Sequence, residues 1–108
     1  MDNNTQAWLA NDAVVYGATQ IFDALSDLTR FLILAELLEG EKSVSELQDV
    51  CHVSQSAISH QLRLLRDRSL VTARREGQRV IYSLSDDHVG RLIGLGLEHA
   101  AEETGSEA

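Results

Sequence analysis

The chain contains no proline, only one cysteine (Cys51), and just 5% aromatic residues among its 108. Without proline, helices can run without forced breaks. A lone cysteine makes no internal disulfide, which agrees with a reducing compartment. No apolar run approaches the length of a membrane span, and no charged-then-apolar leader precedes a small-residue cleavage site. These absences predict a soluble, cytoplasmic protein with no membrane partner. No nucleophile–base pair or phosphate-binding loop is visible either, so an enzyme is the least supported class. The length allows one hydrophobic core, and a single domain is expected over 1–108, with 1–6 and 104–108 frayed.

Positive charge is also scarce, with nine basic against 17 acidic residues and a net charge of −8. Taken as an average, that argues against nucleic acid. The average conceals a local excess. Between Ser54 and Tyr82 six arginines (63, 66, 68, 74, 75 and 79) oppose only Asp67 and Glu76, a surplus of +4, while three basic and fifteen acidic residues leave −12 elsewhere. A basic patch on an acidic body can meet phosphates. Composition alone equally suits a solvated helix face and hairpin.

The apolar spacing predicts a mainly helical chain with one small hairpin. Leu9, Val14, Val15, Ala18, Ile21, Phe22 and Leu25 form one stripe of a first helix over 7–25. Trp8 either anchors a second chain there or covers the chain's own core. Ser26 is read as the N-cap of a second helix over 27–39, whose apolar set is Leu28, Phe31, Leu32, Leu34, Ala35, Leu37 and Leu38, with Gly40 as its stop. Ser43-Val44-Ser45-Glu46 has capping-box spacing for a short third helix lined by Val44, Leu47, Val50 and Cys51. Ser54 caps a fourth helix to about Arg68, with Ile58, Leu62 and Leu65 inside. Residues 70–75 and 79–84 read as strands around Glu76-Gly77-Gln78. Ser85 or Asp86 then caps a closing helix.

Short helix, tight turn and polar-faced helix make a helix-turn-helix, and the arginine-bearing hairpin makes it a winged helix. Its fourth helix would enter the major groove by its first turns. Gln55 can pair bidentately with adenine, and Ser56 and Ser59 can bond bases or phosphates. His60 either touches DNA or stays on the protein side. Arg63, Arg75 and Arg79 are candidates for phosphate or the minor groove.

The closing helix carries His88 and His99, with Asp86 two before the first and Glu102 three after the second. Eleven residues at about 100° each bring the two imidazoles onto one face, some 20° past three full turns and about 16 Å apart along the axis. One ion held at about 2.0–2.1 Å cannot reach both. The geometry closes if a second copy runs antiparallel, so that Asp86 and His88 of one face His99 and Glu102 of the other. Two nitrogens and two oxygens without sulfur suit zinc(II), with cobalt(II) possible. The same residues also suit a solvated, charge-decorated face, and the spacing alone does not separate the two. Gly90, Gly94 and Gly96 each weaken the helix by roughly 1 kcal/mol relative to alanine, for which close approach of another helix would compensate.

From about Ile21 to Glu102 the chain resembles the ArsR/SmtB family of bacterial metal-sensing repressors. The resemblance rests on residues 24–30 (ALSDLTR), 54–66 (SQSAISHQLRLLR) and 77–84 (GQRVIYSL). It implies a winged-helix homodimer, joined through its N- and C-terminal helices, whose binding to double-stranded operator DNA is lost when an effector binds. The zinc- and cobalt-sensing branch is similar at D-x-H-x10-H-x2-E, carried here by Asp86, His88, His99 and Glu102. The implied function is repression by the metal-free dimer and release by zinc, freeing genes for metal efflux or sequestration. Two departures stand out. Residues 42–47 hold no thiol, so the cysteine site of other branches is absent, and Leu28 replaces the usual proline, which should affect capping only. Two rivals remain: a repressor of the same fold sensing oxidation at Cys51, and a dimeric zinc-binding interaction module without an operator. Cys51 itself reads first as a small core residue, since no second cysteine lies near it in sequence.

Overall fold

The computed structural model describes residues 4–105, and everything below concerns those residues. In chain order the elements are α1 (Thr5–Leu9), α2 (Asp12–Leu25), α3 (Leu28–Leu38), β1 (Lys42–Ser43), α4 (Val44–Cys51), α5 (Gln55–Asp67), β2 (Val71–Glu76), β3 (Arg79–Leu84) and α6 (Asp87–Thr104). The expected first helix is in fact two. Asn11 leaves helical geometry at φ −106° and ψ 105°, and its side-chain oxygen accepts from the amides of Ala13 and Val14, so α2 starts afresh there. Thr5 and Gln6, expected to fray, belong to α1, and Thr104, also expected to fray, closes α6 with Gly105 as its cap; residues 1–3 and 106–108 lie outside the described residues.

The second boundary also moves. Ser26 ends α2, its hydroxyl donating back to the Asp23 carbonyl at 2.7 Å. Asp27 is the N-cap of α3, accepting from the Arg30 amide at 3.0 Å. A carboxylate does that work as well as a hydroxyl. Leu28 follows at 75% exposure without disturbing the cap. The capping box of α4 forms as expected: Ser43 accepts from the Glu46 amide while the Glu46 carboxylate accepts from the Ser43 amide.

The core is built around α3. Ile33, Leu34 and Leu37 pack with Leu47 of α4, with Ile58, Leu62 and Leu65 of α5, with Val71 and Tyr82 of the hairpin, and with Val89 and Ile93 of α6. Ile33 is fully buried although the expected apolar set omits it, whereas Leu28, Leu32 and Leu38 of that set are exposed. Val50, expected inside α4, also faces out. The sheet has three strands in the order β1-β3-β2, all antiparallel, where only a hairpin was expected. Pairing of Ser43 with Ile81 ties the start of the helix-turn-helix to the wing.

Most of the N-terminal stripe joins none of this. Only Ala24 of α2 is buried, while Trp8 (50% exposed), Leu9, Val14, Val15 and Phe22 remain open. Trp8 therefore does not cover the chain's own core. It lines a shallow apolar groove with Leu9, Val14, Val15, Ala18 and Phe22.

Candidate nucleic-acid interface and metal centre

The reading helix is held at both ends by local chemistry. His52 sits in the left-handed region at φ 56°, which ends α4 in a tight turn, and Ser54 then accepts from the Ala57 amide at 3.1 Å to start α5. With Ile58, Leu62 and Leu65 fully buried, Gln55, Ser56, Ser59, His60 and Arg63 are left together on the open side. Their spacings of three and four residues place them on one helical face. Past Arg63, that face borders a polar cleft of about 390 Å³ between α5 and the hairpin, lined by Ser59, Arg63, Arg66, Asp67 and Tyr82.

The helix ends without glycine. Ser69 takes φ 60° and the Leu70 amide reaches back to the Leu65 carbonyl at 2.9 Å, a Schellman closure that sends the chain directly into the wing. Gly77, at φ 64°, turns the hairpin, pairing Arg75 with Val80 and Glu76 with Arg79.

The wing arginines are not equivalent. Arg74 is bonded to Glu41 and, at 2.8 Å, to Glu76, and these partners raise its pKa. Arg79 pairs at 3.2 Å with Glu46, using the carboxylate oxygen that already accepts the Ser43 amide. Those bonds to Ser43, and then Arg79 and Lys42, hold the Glu46 carboxyl below its ordinary value of 4.5. All three ion pairs are exposed, so they orient the side chains more than they stabilise the fold. Among the described residues no carboxylate pairs with Arg63 or Arg75.

Of the metal candidates, α6 presents two groups at opposite ends of one unbroken helix. Asp86 is its N-cap, with Oδ1 accepting from the Val89 amide at 3.1 Å, and the Nδ1 of His88 lies 3.5 Å from that same oxygen. Near the other end the Nε2 of His99 lies 3.5 Å from Glu103, one residue beyond the Glu102 expected beside it. All four candidates are exposed. Among the described residues, no three histidine, cysteine or acidic side chains of one chain come together as a metal site.

Sequence reasoning missed the pairing of Glu46 with Arg79, whose partners lie 33 residues apart in sequence. The glycines of α6 divide. A methyl group on Gly90 would meet Leu38 at 3.4 Å and one on Gly96 would meet Phe31 at 3.9 Å, both ordinary contacts with α3 of the same chain. Gly94 has nothing within 4 Å.

Cys51 is half-buried, and burial, then the charge of Glu36, raise its thiol pKa. That disfavours the reactive thiolate. No helix is long and apolar enough to cross a membrane among the described residues.

The family profile described as bacterial regulatory protein, arsR family, matches residues 27–73, from the cap of α3 into β2. The HTH-type transcriptional regulator NmtR of Mycobacterium tuberculosis is 37% identical over 98 residues, covering 91% of this chain and 81% of that protein. A transcriptional repressor SmtB homolog from Synechocystis is 42% identical over 83 residues, covering 77% of this chain but only 63% of its own length. Among solved structures, the homodimeric winged helix-turn-helix DNA-binding domain of a possible ArsR-family regulator from Mycobacterium bovis superposes with a TM-score of 0.81 at 27% identity. That match covers 96% of this chain and 91% of that one. A reading helix with an open polar face, a wing closed on its cap, and these likenesses across nearly the whole chain place the protein in the ArsR/SmtB family of bacterial transcriptional regulators.

Proposed function

We propose that this protein is a metal-responsive repressor that binds double-stranded operator DNA as a metal-free homodimer and releases it when zinc(II), or cobalt(II), is bound. The observation that carries the reading is the division of α6: Asp86 and His88 at one tip, His99 and Glu102 near the other, and no complete donor set among the described residues of one chain. Two antiparallel copies of α6 would join these halves into two equivalent sites. The donors fit the metal, since two imidazoles and two carboxylates match the nitrogen and oxygen ligands of four-coordinate zinc. When bound, the ion would supply a bond between subunits and no reaction, because four protein ligands leave no position for water. The apolar groove of α1 and α2 and the open flank of Gly94 are the surfaces that a second copy would cover.

The arms then divide the work. Gln55, Ser56 and Ser59 would read base edges or phosphates, while Arg63 and Arg75, free of carboxylate partners among the described residues, would meet the backbone. Arg79 would exchange Glu46 for a phosphate, and His60 lies on the same open face. Joining the α6 tips favours a spacing or stiffness of the two reading helices that fits DNA less well. A coupling of about 1–3 kcal/mol lowers operator affinity roughly 5- to 150-fold. In the cell this would free genes for metal efflux or sequestration. Burial and Glu36 raise the pKa of the Cys51 thiol, which lowers the share of thiolate on which the oxidation-sensing alternative would depend.

The test is operator binding followed by fluorescence anisotropy while zinc, cobalt, nickel and cadmium are added in turn. Zinc or cobalt should release the wild type, and His99→Ala should bind DNA normally but ignore the metal. Equal loss of DNA binding and metal response in His99→Ala would contradict the assignment.

A further inference from the structure

Between α2 and the reading helix there is one polar tie that lies in neither the core nor the caps. Arg30, in the first turn of α3, is half-buried, and its guanidinium reaches in two directions. The Nε donates to the Ala24 carbonyl at 2.8 Å, and one terminal nitrogen lies 3.4 Å from the Asp23 carbonyl, both in the last turn of α2. The other terminal nitrogen donates to Oε1 of Gln61, on α5, at 3.2 Å. Gln61 is half-buried and sits behind the open face, between exposed His60 and Arg63.

Among the described residues α5 otherwise seats on α3 through the apolar core, and apolar contact has no direction. Helices packed in that way take crossing angles that scatter by about 15–20°. A planar guanidinium with bonds on two sides is directional; here it offers a donor to the Ala24 carbonyl at the end of α2, beside the Asp23 carbonyl that Ser26 already serves.

We propose that Arg30 is a positioning residue for operator reading, fixing through Gln61 the angle between α5 and the corner where α2 meets α3. The proposal rests on the operator-binding reading above. In a two-fold dimer an angular error at one reading helix is repeated at the other. Both must meet major grooves one helical turn, about 34–36 Å, apart. Loosening the tie therefore costs sequence-specific binding while leaving general attraction to phosphate untouched.

The experiment uses the full chain and two duplexes: one enriched by the wild type from a random-sequence pool, and a scrambled version of it. Gln61→Met removes only the arm to α5 and leaves both bonds to α2. Arg30→Lys keeps the charge but lacks the fork. Each should weaken binding to the enriched duplex by about tenfold or more, the effect of misplacing one base contact, with scrambled-duplex affinity and salt slope unchanged. The double variant should bind no worse than the weaker single variant. Equal losses on both duplexes overturn the proposal, as does an undiminished preference for the enriched duplex. Losses that multiply in the double variant also overturn it, because Gln61 would then touch DNA on its own account. Should Arg30→Lys fold poorly, Gln61→Met alone decides by the same comparison. A wild type that enriches no sequence sinks the operator reading itself, a separate result from a variant that matches the wild type.

Discussion

Asp86 has two roles that a pair of substitutions separates. Its Oδ1 caps α6 by accepting from the Val89 amide at 3.1 Å, and its carboxylate is one of four proposed metal donors. Asp86→Ala removes both. Loss of an N-cap costs about 1 kcal/mol, within a range of about 0.5–2. For a chain of this size that lowers the melting temperature by about 4–8 °C per kcal/mol. Asp86→Ser restores a side-chain acceptor but forfeits the favourable charge at the helix N-terminus, worth about 0.3–1 kcal/mol. The serine variant should therefore melt between the alanine variant and the wild type. His88→Ala removes a neighbour 3.5 Å from the capping oxygen but leaves the Asp86–Val89 bond in place, so it should melt closer to the wild type than either Asp86 variant. All three should lose zinc-driven release, because each lacks a donor. The assay is a thermal melt without metal at fixed protein concentration, since dimer stability depends on concentration, followed by the zinc titration of operator binding. An Asp86→Ser protein that melts with Asp86→Ala refutes the capping argument. Full zinc response in Asp86→Ala removes this residue from the donor set.

Three further outcomes follow from the same geometry. Glu46 has a carboxyl pKa depressed in the fold, so its contribution is present above the ordinary value of 4.5 and is lost as the pH falls through the lower, folded value. Glu46→Gln keeps the capping box but removes the charge, so acid melts of this variant should show a shallower loss of stability below pH 4.5 than the wild type; identical curves would contradict it. Arg75→Gln removes one phosphate contact from each wing of the dimer and should reduce the slope of log affinity against log salt by about 2, whereas Arg74→Gln, whose side chain is committed to Glu41 and Glu76, should leave the slope unchanged. Gly94→Leu fills open space within the chain and should improve helix propensity by about 0.8–1 kcal/mol. If α6 pairs there, it should nevertheless shift the protein to monomers in sedimentation, and a dimer that tolerates leucine would place the interface elsewhere.

The local grammar of the helix-turn-helix was legible because it depends on neighbours in sequence. The Ser43–Glu46 box, the Ser54 cap and the buried set Ile58, Leu62 and Leu65 are all written within one or two helical turns. The boundaries that moved did so where two readings of the same residues compete. The apolar spacing runs straight across Asn11, and only its cap bonds break the helix. Ser26 and Asp27 are adjacent residues of cap type, and the choice between them rests on which reaches the Arg30 amide. Strand β1 is two residues long, too short for alternation to register, and exists through its pairing with β3.

The functional residues divide along the same line for a deeper reason. A reading helix shows its polar face in its own sequence, because the opposite face must be buried. The arginines of the wing carry no such mark. Whether one is committed or available depends on carboxylates as far away as Glu41 and Glu46, and on a hairpin register that only the folded sheet establishes. The tie from Arg30 to Gln61, 31 residues apart, is silent for the same cause. The proposed α6 donors are the opposite case: their spacing is plain in sequence, yet one folded chain leaves the two halves at the ends of a helix. A site that becomes complete only on pairing makes metal occupancy report on the relation between subunits. In the proposed repressor, whose DNA affinity would depend on the separation of two reading helices, such a site would couple metal directly to that separation.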